Sequence, residues 1–137
     1  MNNNFNEAKR WLEQAKCDLK SAEWNVKGEF YADACFKSQQ ACEKALKAFC
    51  YFKGERSVLG HSTRDLLLRC AKYDENFDRY IRNCKKLDKF YITARYPDGL
   101  PSGIPQEYFE REEAEEAIKL ADEVLEFIGS LINQCRL

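Results

Sequence analysis

The stretch that decides the fold is YADACFKSQQACEKALKAFCYF, at residues 31–52. Small and apolar residues recur in it at steps of three and four, which places them on one side of a helix. A second apolar stripe lies beside the first, and a helix that is apolar on two adjacent faces belongs in the middle of a bundle. The first stripe contains Tyr31, Ala34, Ser38, Ala41, Ala45, Ala48 and Phe52, and the second contains Cys35, Cys42, Leu46 and Phe49.

Further helices are predicted on both sides of this segment. The same spacing predicts a first helix over residues 5–26 and a last helix over residues 110–135. A short helix is predicted after Ser62, which with Asp65 three residues later is typical of an N-cap, and another over residues 75–94. Because no strand-like alternation occurs, we predict an all-α fold, an antiparallel up-and-down bundle of four to five helices that forms one domain over residues 1–137.

Composition and charge exclude several classes of protein. Hydrophobic residues make up 45% of the chain and charged residues 33%, proportions that exclude a disordered or a membrane-spanning protein. No apolar run approaches the ~20 residues of a membrane span, and the first residues are not those of a signal peptide, so we expect a cytoplasmic protein. The net charge of −1 argues against a general nucleic-acid coat protein but leaves room for a local basic patch.

The seven cysteines are unusually many for a chain of this length. Cys35, Cys42 and Cys50 lie seven and eight residues apart in one helix, so that neighbours are separated by ~10–12 Å, beyond the ~7 Å reach of a disulfide. No Cys-x-x-Cys pair occurs and His61 is the only histidine, which argues against a zinc site. We therefore expect reduced core cysteines, and neither a metal nor a resident cofactor.

Polar residues crowd the second half of the central helix. Gln40 and Lys44 are four residues apart and share a face, as do Glu43 and Lys47. These residues form either a solvated face with one Glu–Lys pair or a polar groove in which Lys44 or Lys37 meets an anionic ligand.

Two further stretches carry candidate functional residues. His61 precedes a helix N-terminus, where it is either a structural hydrogen-bonding group or part of an anion site. All three prolines fall within residues 97–105, which predicts no regular structure there, inside a longer loop over residues 94–109. In that loop Arg95 and Asp98 either tie the helix end to the turn or, with Tyr96, form part of a binding site.

Four blocks of the sequence follow one another in a characteristic order. They are AKRWLEQA at residues 8–15, followed by Asp18 and Leu19, then QQACEKALKA at 39–48, GHS at 60–62 and RYPD at 95–98. Together they resemble a known family, the HEPN (higher eukaryotes and prokaryotes nucleotide-binding) domain. The resemblance covers nearly the whole chain, and the C-terminal domain of sacsin carries a similar Arg-Tyr-Pro-Asp loop. It implies an up-and-down helical bundle that is commonly dimeric. It also implies nucleotide binding in some members and, in many prokaryotic members, a toxin–antitoxin-like pairing with a small nucleotidyltransferase.

Other branches of the family are metal-independent ribonucleases that use an Arg-x(4–6)-His motif. The only match here joins Arg56 to His61, in a glycine-flanked loop before the short third helix, whereas the ribonuclease motif belongs near the start of a later helix. We therefore interpret Arg56 as coincidental and lean against an enzyme, with the ribonuclease as the alternative and a purely structural dimeric module as a further one.

Resemblance and residue chemistry together predict a site for a nucleotide such as ATP or GTP. It is lined by Gln40, Lys44, His61 and Arg95, with Tyr96 stacking on the base and Asp98 orienting the arginine. A homodimer is expected as well, because Trp11 and Trp24 lie off the apolar stripe of the first helix.

Overall fold

Helices account for the regular structure in the computed structural model, which describes residues 3–134 and contains no strand in that range. Two 3-10 turns, Glu75–Tyr80 and Pro97–Gly99, interrupt the series. The helices are α1 (Asn3–Lys27), α2 (Tyr31–Phe52), α3 (Thr63–Ala71), α4 (Ile81–Asp88), α5 (Phe90–Thr93), α6 (Pro105–Tyr108) and α7 (Arg111–Gln134). The predicted all-α bundle is confirmed; Cys135, predicted to end the last helix, lies outside the described residues.

Helix α2 is the centre of the bundle, as its two apolar stripes predict. It packs against both other long helices, α1 and α7, and also against α3 to α6. Its buried alanines lie against these neighbours without bulk between the backbones, whereas Leu46 and Phe49 fill the remaining core. A residue on almost any side of α2 therefore faces another helix, and this positions the polar side chains described below.

The helix predicted over residues 75–94 is divided into three pieces. Asp74 accepts a hydrogen bond from the backbone N–H of Asn76 and starts the first 3-10 turn. At Lys89 the backbone keeps helical angles, but its N–H bonds to the carbonyl of Lys86, only three residues back, at 3.3 Å. This tighter turn separates α4 from α5 and sets the direction in which α5 carries its side chains.

The prediction that residues 97–105 lack regular structure is wrong at both ends of that range. Pro97 starts a 3-10 turn and Pro105 starts α6. Proline is tolerated at the first position of a helix because its missing N–H has no intrahelical partner there. The loop is tied back to the α1–α2 turn, since Gln106 donates to the backbone carbonyl of Glu29 at 2.7 Å.

Candidate functional site

Buried and half-buried polar side chains follow one another along α2, where a solvated face was one of the two interpretations. Glu43 is only 4% exposed and its carboxylate lies 3.1 Å from the ammonium group of Lys47, which confirms that predicted pair. Gln40 donates to the Glu43 carboxylate at 3.3 Å and to the side-chain oxygen of Gln39 at 2.9 Å. Because buried charges are costly unless paired, each of these groups depends on the others.

Lys44 is occupied by a partner on α1 that sequence spacing did not indicate. Its ammonium group lies 2.6 Å from the carboxylate of the buried Asp18, which also accepts from Gln14 at 3.0 Å. Beside this pair a shallow groove of about 560 Å³ runs between α1 and α2, with Trp11 in its wall. Among residues 3–134 no hydrogen bond, ion pair or ring contact joins Lys44 to the other predicted site residues.

His61 is held by α2 on one side and by α5 on the other. Its backbone carbonyl accepts a hydrogen bond of 2.8 Å from the amide of Gln39, and its Nδ1 lies 3.3 and 3.4 Å from the carboxylate oxygens of Glu43. Its ring stacks on Tyr91 with centroids 5.0 Å apart and an angle of 20° between the planes. The side chain is nevertheless 62% exposed, so the ring is oriented but open to solvent.

The N-terminus of α3 does not offer an open anion site. The carboxylate of Asp88, at the end of α4, accepts the backbone N–H of Thr63 at 2.7 Å and that of Arg64 at 3.1 Å. Ser62, the predicted N-cap, is confirmed by the N–H of Asp65 donating to its hydroxyl oxygen at 3.1 Å, and it donates in turn to Asp88. The chain supplies its own carboxylate to these amides, so they are not free for the ligand anion that was one of the two alternatives for this helix end.

Arg95 lies against aromatic rings and has no acidic partner among residues 3–134. Its guanidinium carbon is 4.4 Å from the ring centre of Tyr91, 4.5 Å from that of Phe36 and 4.9 Å from that of Tyr96. Its Nε donates to the backbone carbonyl of Tyr91 at 2.7 Å. Within residues 3–134 Asp98 does not contact Arg95 as predicted. The guanidinium is held by stacking on the aromatic rings instead.

Tyr91 is the residue that brings the predicted site together, and it was missed from the sequence. Its ring stacks on that of His61 and also contacts the Arg95 guanidinium. The signal was available, since Tyr91 precedes Arg95 by four residues, one helical turn. His61, Tyr91, Arg95 and Tyr96 thus form one cluster at the surface, hereafter the cation–aromatic cluster, and Gln40 reaches it through Glu43.

The side chains of this cluster are suited to bind a ligand that carries an anionic group and an aromatic ring. No group of three or more His, Cys, Asp or Glu side chains within residues 3–134 is arranged to hold a metal ion. In the same range no helix is both long and apolar enough to cross a membrane. An arginine fork and a carboxylate-oriented imidazole that contact the same tyrosine suit a phosphate, and the exposed Tyr96 suits a base.

Comparisons with a family model, with a curated protein and with solved structures point to the same family. The model of the HEPN domain matches residues 8–131. The protein named Putative toxin MJ1304, from Methanocaldococcus jannaschii, is 30% identical over 96% of this chain and 91% of its own length. The crystal structure of TT1696 from Thermus thermophilus superposes with a TM-score of 0.86 at 39% identity, covering 95% of this chain and 98% of that one. The archaeal HEPN homologue ST0689 has a TM-score of 0.77 at 34% identity, covering 92% and 98% of the two chains.

Proposed function

Because this chain belongs to the HEPN family, we propose that it is a non-catalytic nucleotide-binding protein that acts beside a protein partner. The observation that carries the proposal is the cation–aromatic cluster, in which a guanidinium, an imidazole and an open tyrosine ring lie together at the surface. Tyr96 is 47% exposed and has the flat face on which a nucleobase stacks.

The hydrogen-bonding state of Arg95 supports phosphate binding. Within the described residues only its Nε donates a hydrogen bond, to a backbone carbonyl, and no carboxylate neutralises its charge. The two terminal nitrogens of the fork therefore remain for the oxygens of a phosphate, which bind arginine in bidentate fashion. His61 contacts the same tyrosine, Tyr91, and adds an exposed imidazole to the cluster, and Gln40 supports His61 through Glu43.

Lys44 and Asp98 have smaller parts in this proposal. Lys44 is engaged by Asp18, so it contributes to the local charge along α2 more than to direct contact. Asp98 follows Pro97 in the 3-10 turn and shapes the loop that carries Tyr96, without holding Arg95.

Calorimetry with ATP and with GTP tests the nucleotide site. We expect the wild type to bind one of them, and Arg95→Ala to abolish binding while the circular dichroism spectrum is retained. Arg111→Ala is the matched control, because Arg111 also stacks on one tyrosine, Tyr31 at 5.4 Å, but lies outside the cluster. No binding by the wild type at millimolar nucleotide, or equal losses in both variants, would refute the site.

A metal-independent ribonuclease is the second candidate, and the Glu43–His61 contact favours it. A buried carboxylate at Nδ1 orients an imidazole whose exposed ring is then available as a general acid or base. The similarity to a protein named as a toxin agrees with this candidate. RNA cleavage by the wild type that is lost in His61→Ala, but kept in Arg56→Ala, would replace the non-catalytic proposal with this one.

Two kinds of protein partner are expected, a second copy of this chain and a different protein. We expect a homodimer that uses the end of α1, where Trp24 is 70% exposed, whereas Trp11 is half-buried, with its ring 5.3 Å from that of Tyr51. Light scattering of the wild type and of Trp24→Ala at tens of micromolar tests this, and a wild-type monomer would contradict it.

For the different protein we expect a small nucleotidyltransferase in a toxin–antitoxin-like pair, which co-expression and co-purification of the two chains would reveal.

A further inference from the structure

The core brings four cysteines together as two pairs, each joining α2 to another helix. The sulfur atoms of Cys50 and Cys70 are 3.7 Å apart and link α2 to α3. Those of Cys42 and Cys84 are 3.9 Å apart and link α2 to α4. Spacing along α2 excludes a bridge within that helix, but it says nothing about contacts between helices, and all four side chains are free thiols here.

The two pairs differ in how near they lie to helix ends. Cys50 is in the last turn of α2, which ends at Phe52, and Cys70 is in the last turn of α3, which ends at Ala71. Last turns open more readily than helix interiors because fewer hydrogen bonds must break. Cys42 is in the middle of α2, where an oxidant reaches it only after a larger part of the bundle opens.

The electrostatic surroundings of the thiols also favour reaction at the Cys50–Cys70 pair. The contact with the Cys70 sulfur lowers the pKa of Cys50; burial and the Glu55 carboxylate oppose this shift without cancelling it, and the nearby Arg69 guanidinium supports it. The same contact and burial raise the pKa of Cys70, and for Cys42 the hydrogen bond with Cys84 and then burial raise it as well. Since the thiolate is the reactive form of cysteine, the first pair contains the better nucleophile.

We propose that Cys50 and Cys70 are a modification site, an oxidisable dithiol that closes to a disulfide between α2 and α3 when a peroxide is present. The Cys50 thiolate attacks one peroxide oxygen, giving a sulfenic acid and hydroxide. The sulfur of Cys70 then displaces the hydroxyl group from Cys50, so that the S–S bond forms and water leaves. In balance, two thiols and one hydrogen peroxide give one disulfide and two waters, and the two electrons lost by sulfur reduce the peroxide.

Closure has a defined structural consequence. The sulfur atoms must approach from 3.7 Å to a bonded distance of about 2 Å, which draws the end of α3 toward α2. The bond closes a loop between residues 20 apart in the chain, and that loop contains His61. Oxidation is therefore expected to raise the melting temperature by several degrees, because the loop loses freedom in the unfolded chain.

Peptide mapping of the folded, full-length protein tests the proposal. The protein is treated with hydrogen peroxide, its remaining thiols are alkylated after denaturation, and the crosslinked peptides are identified by mass spectrometry. We expect one intramolecular crosslink, between Cys50 and Cys70, that a reductant reverses. It should be absent in Cys50→Ser and retained in Cys42→Ser, the matched variant in the other pair.

Two results would overturn the proposal. One is a crosslink between Cys42 and Cys84 that forms as fast as the crosslink between Cys50 and Cys70. Access and thiolate character would then not distinguish the two pairs. The other is oxidation confined to the exposed Cys17, with no crosslink in the core. The wild-type map distinguishes these results by itself, and Cys50→Ala replaces Cys50→Ser if the hydroxyl group prevents folding.

Discussion

The buried polar face of α2 and the cation–aromatic cluster are neighbours with opposite character. On α2, Glu43 and Lys47 satisfy each other inside the protein, and Asp18 does the same for Lys44. In the cluster, Arg95 rests on rings and keeps part of its hydrogen-bonding capacity open to solvent. Charge in this chain therefore stabilises the bundle where it is paired and buried, and is available for a ligand where it is only stacked.

The largest effect on stability is expected for Glu43→Ala. The substitution leaves the buried ammonium of Lys47 without its carboxylate and His61 without its orienting group, which should cost about 3 kcal/mol of unfolding free energy. Chemical denaturation measures it, with Glu126→Ala on the exposed face of α7 as the control. A loss no greater than that of the control would mean that the α2 pair contributes nothing to the fold.

A smaller loss, about 2 kcal/mol, is expected for Asp88→Ala, because a charged group that accepts from a helix N-terminus has a stronger effect than an ordinary cap. Asp122→Ala, at an exposed position, is the control. The same denaturation series should show Asp88→Asn between the two. If Asp88→Ala matches the control, the α3 amides are satisfied by water alone.

Glu55 offers an intermediate case that depends on pH. Burial raises its pKa, but hydrogen bonds from Tyr73 and Arg69 outweigh this, so the pKa in the folded protein lies below the ordinary 4.5. The stabilisation is therefore complete above the unfolded-state value and is lost as the pH falls through the folded-state value. Tyr73→Phe should destabilise by about 1 kcal/mol at pH 7 and by progressively less below pH 4.5, as denaturation at a series of pH values would measure. A difference that stays constant on acidification would contradict the role of the carboxylate.

The smallest effect on stability is expected for Arg95→Ala, about 0.5 kcal/mol, because a partly exposed guanidinium on rings contributes little to folding. Measured in the same denaturation series, it should fall well below Glu43→Ala. A loss as large as that of Glu43→Ala would show that Arg95 is structural and would remove the contrast between the two regions.

The sequence predicts what depends on spacing within one helix. The central position of α2, the Ser62 cap and the Glu43–Lys47 pair all follow from steps of three or four residues, and the structure confirms each. Contacts between helices depend on how the helices are rotated and shifted against each other, which local spacing does not specify. The Asp18–Lys44 pair, the Asp88 carboxylate at α3 and both thiol pairs belong to this second kind.

The carboxylate of Asp88 also makes α3 a reporter of its neighbour. The amide hydrogens of Thr63 and Arg64 would exchange freely with solvent if their only protection came from α3 itself, since the first turn of a helix provides no acceptor for them. Here their acceptor arrives with α4, 25 and 24 residues away in the chain. Their rate of exchange into deuterated water therefore measures how often α4 detaches, and a single peptide spanning residues 61–66 can follow that motion without a probe attached to the protein.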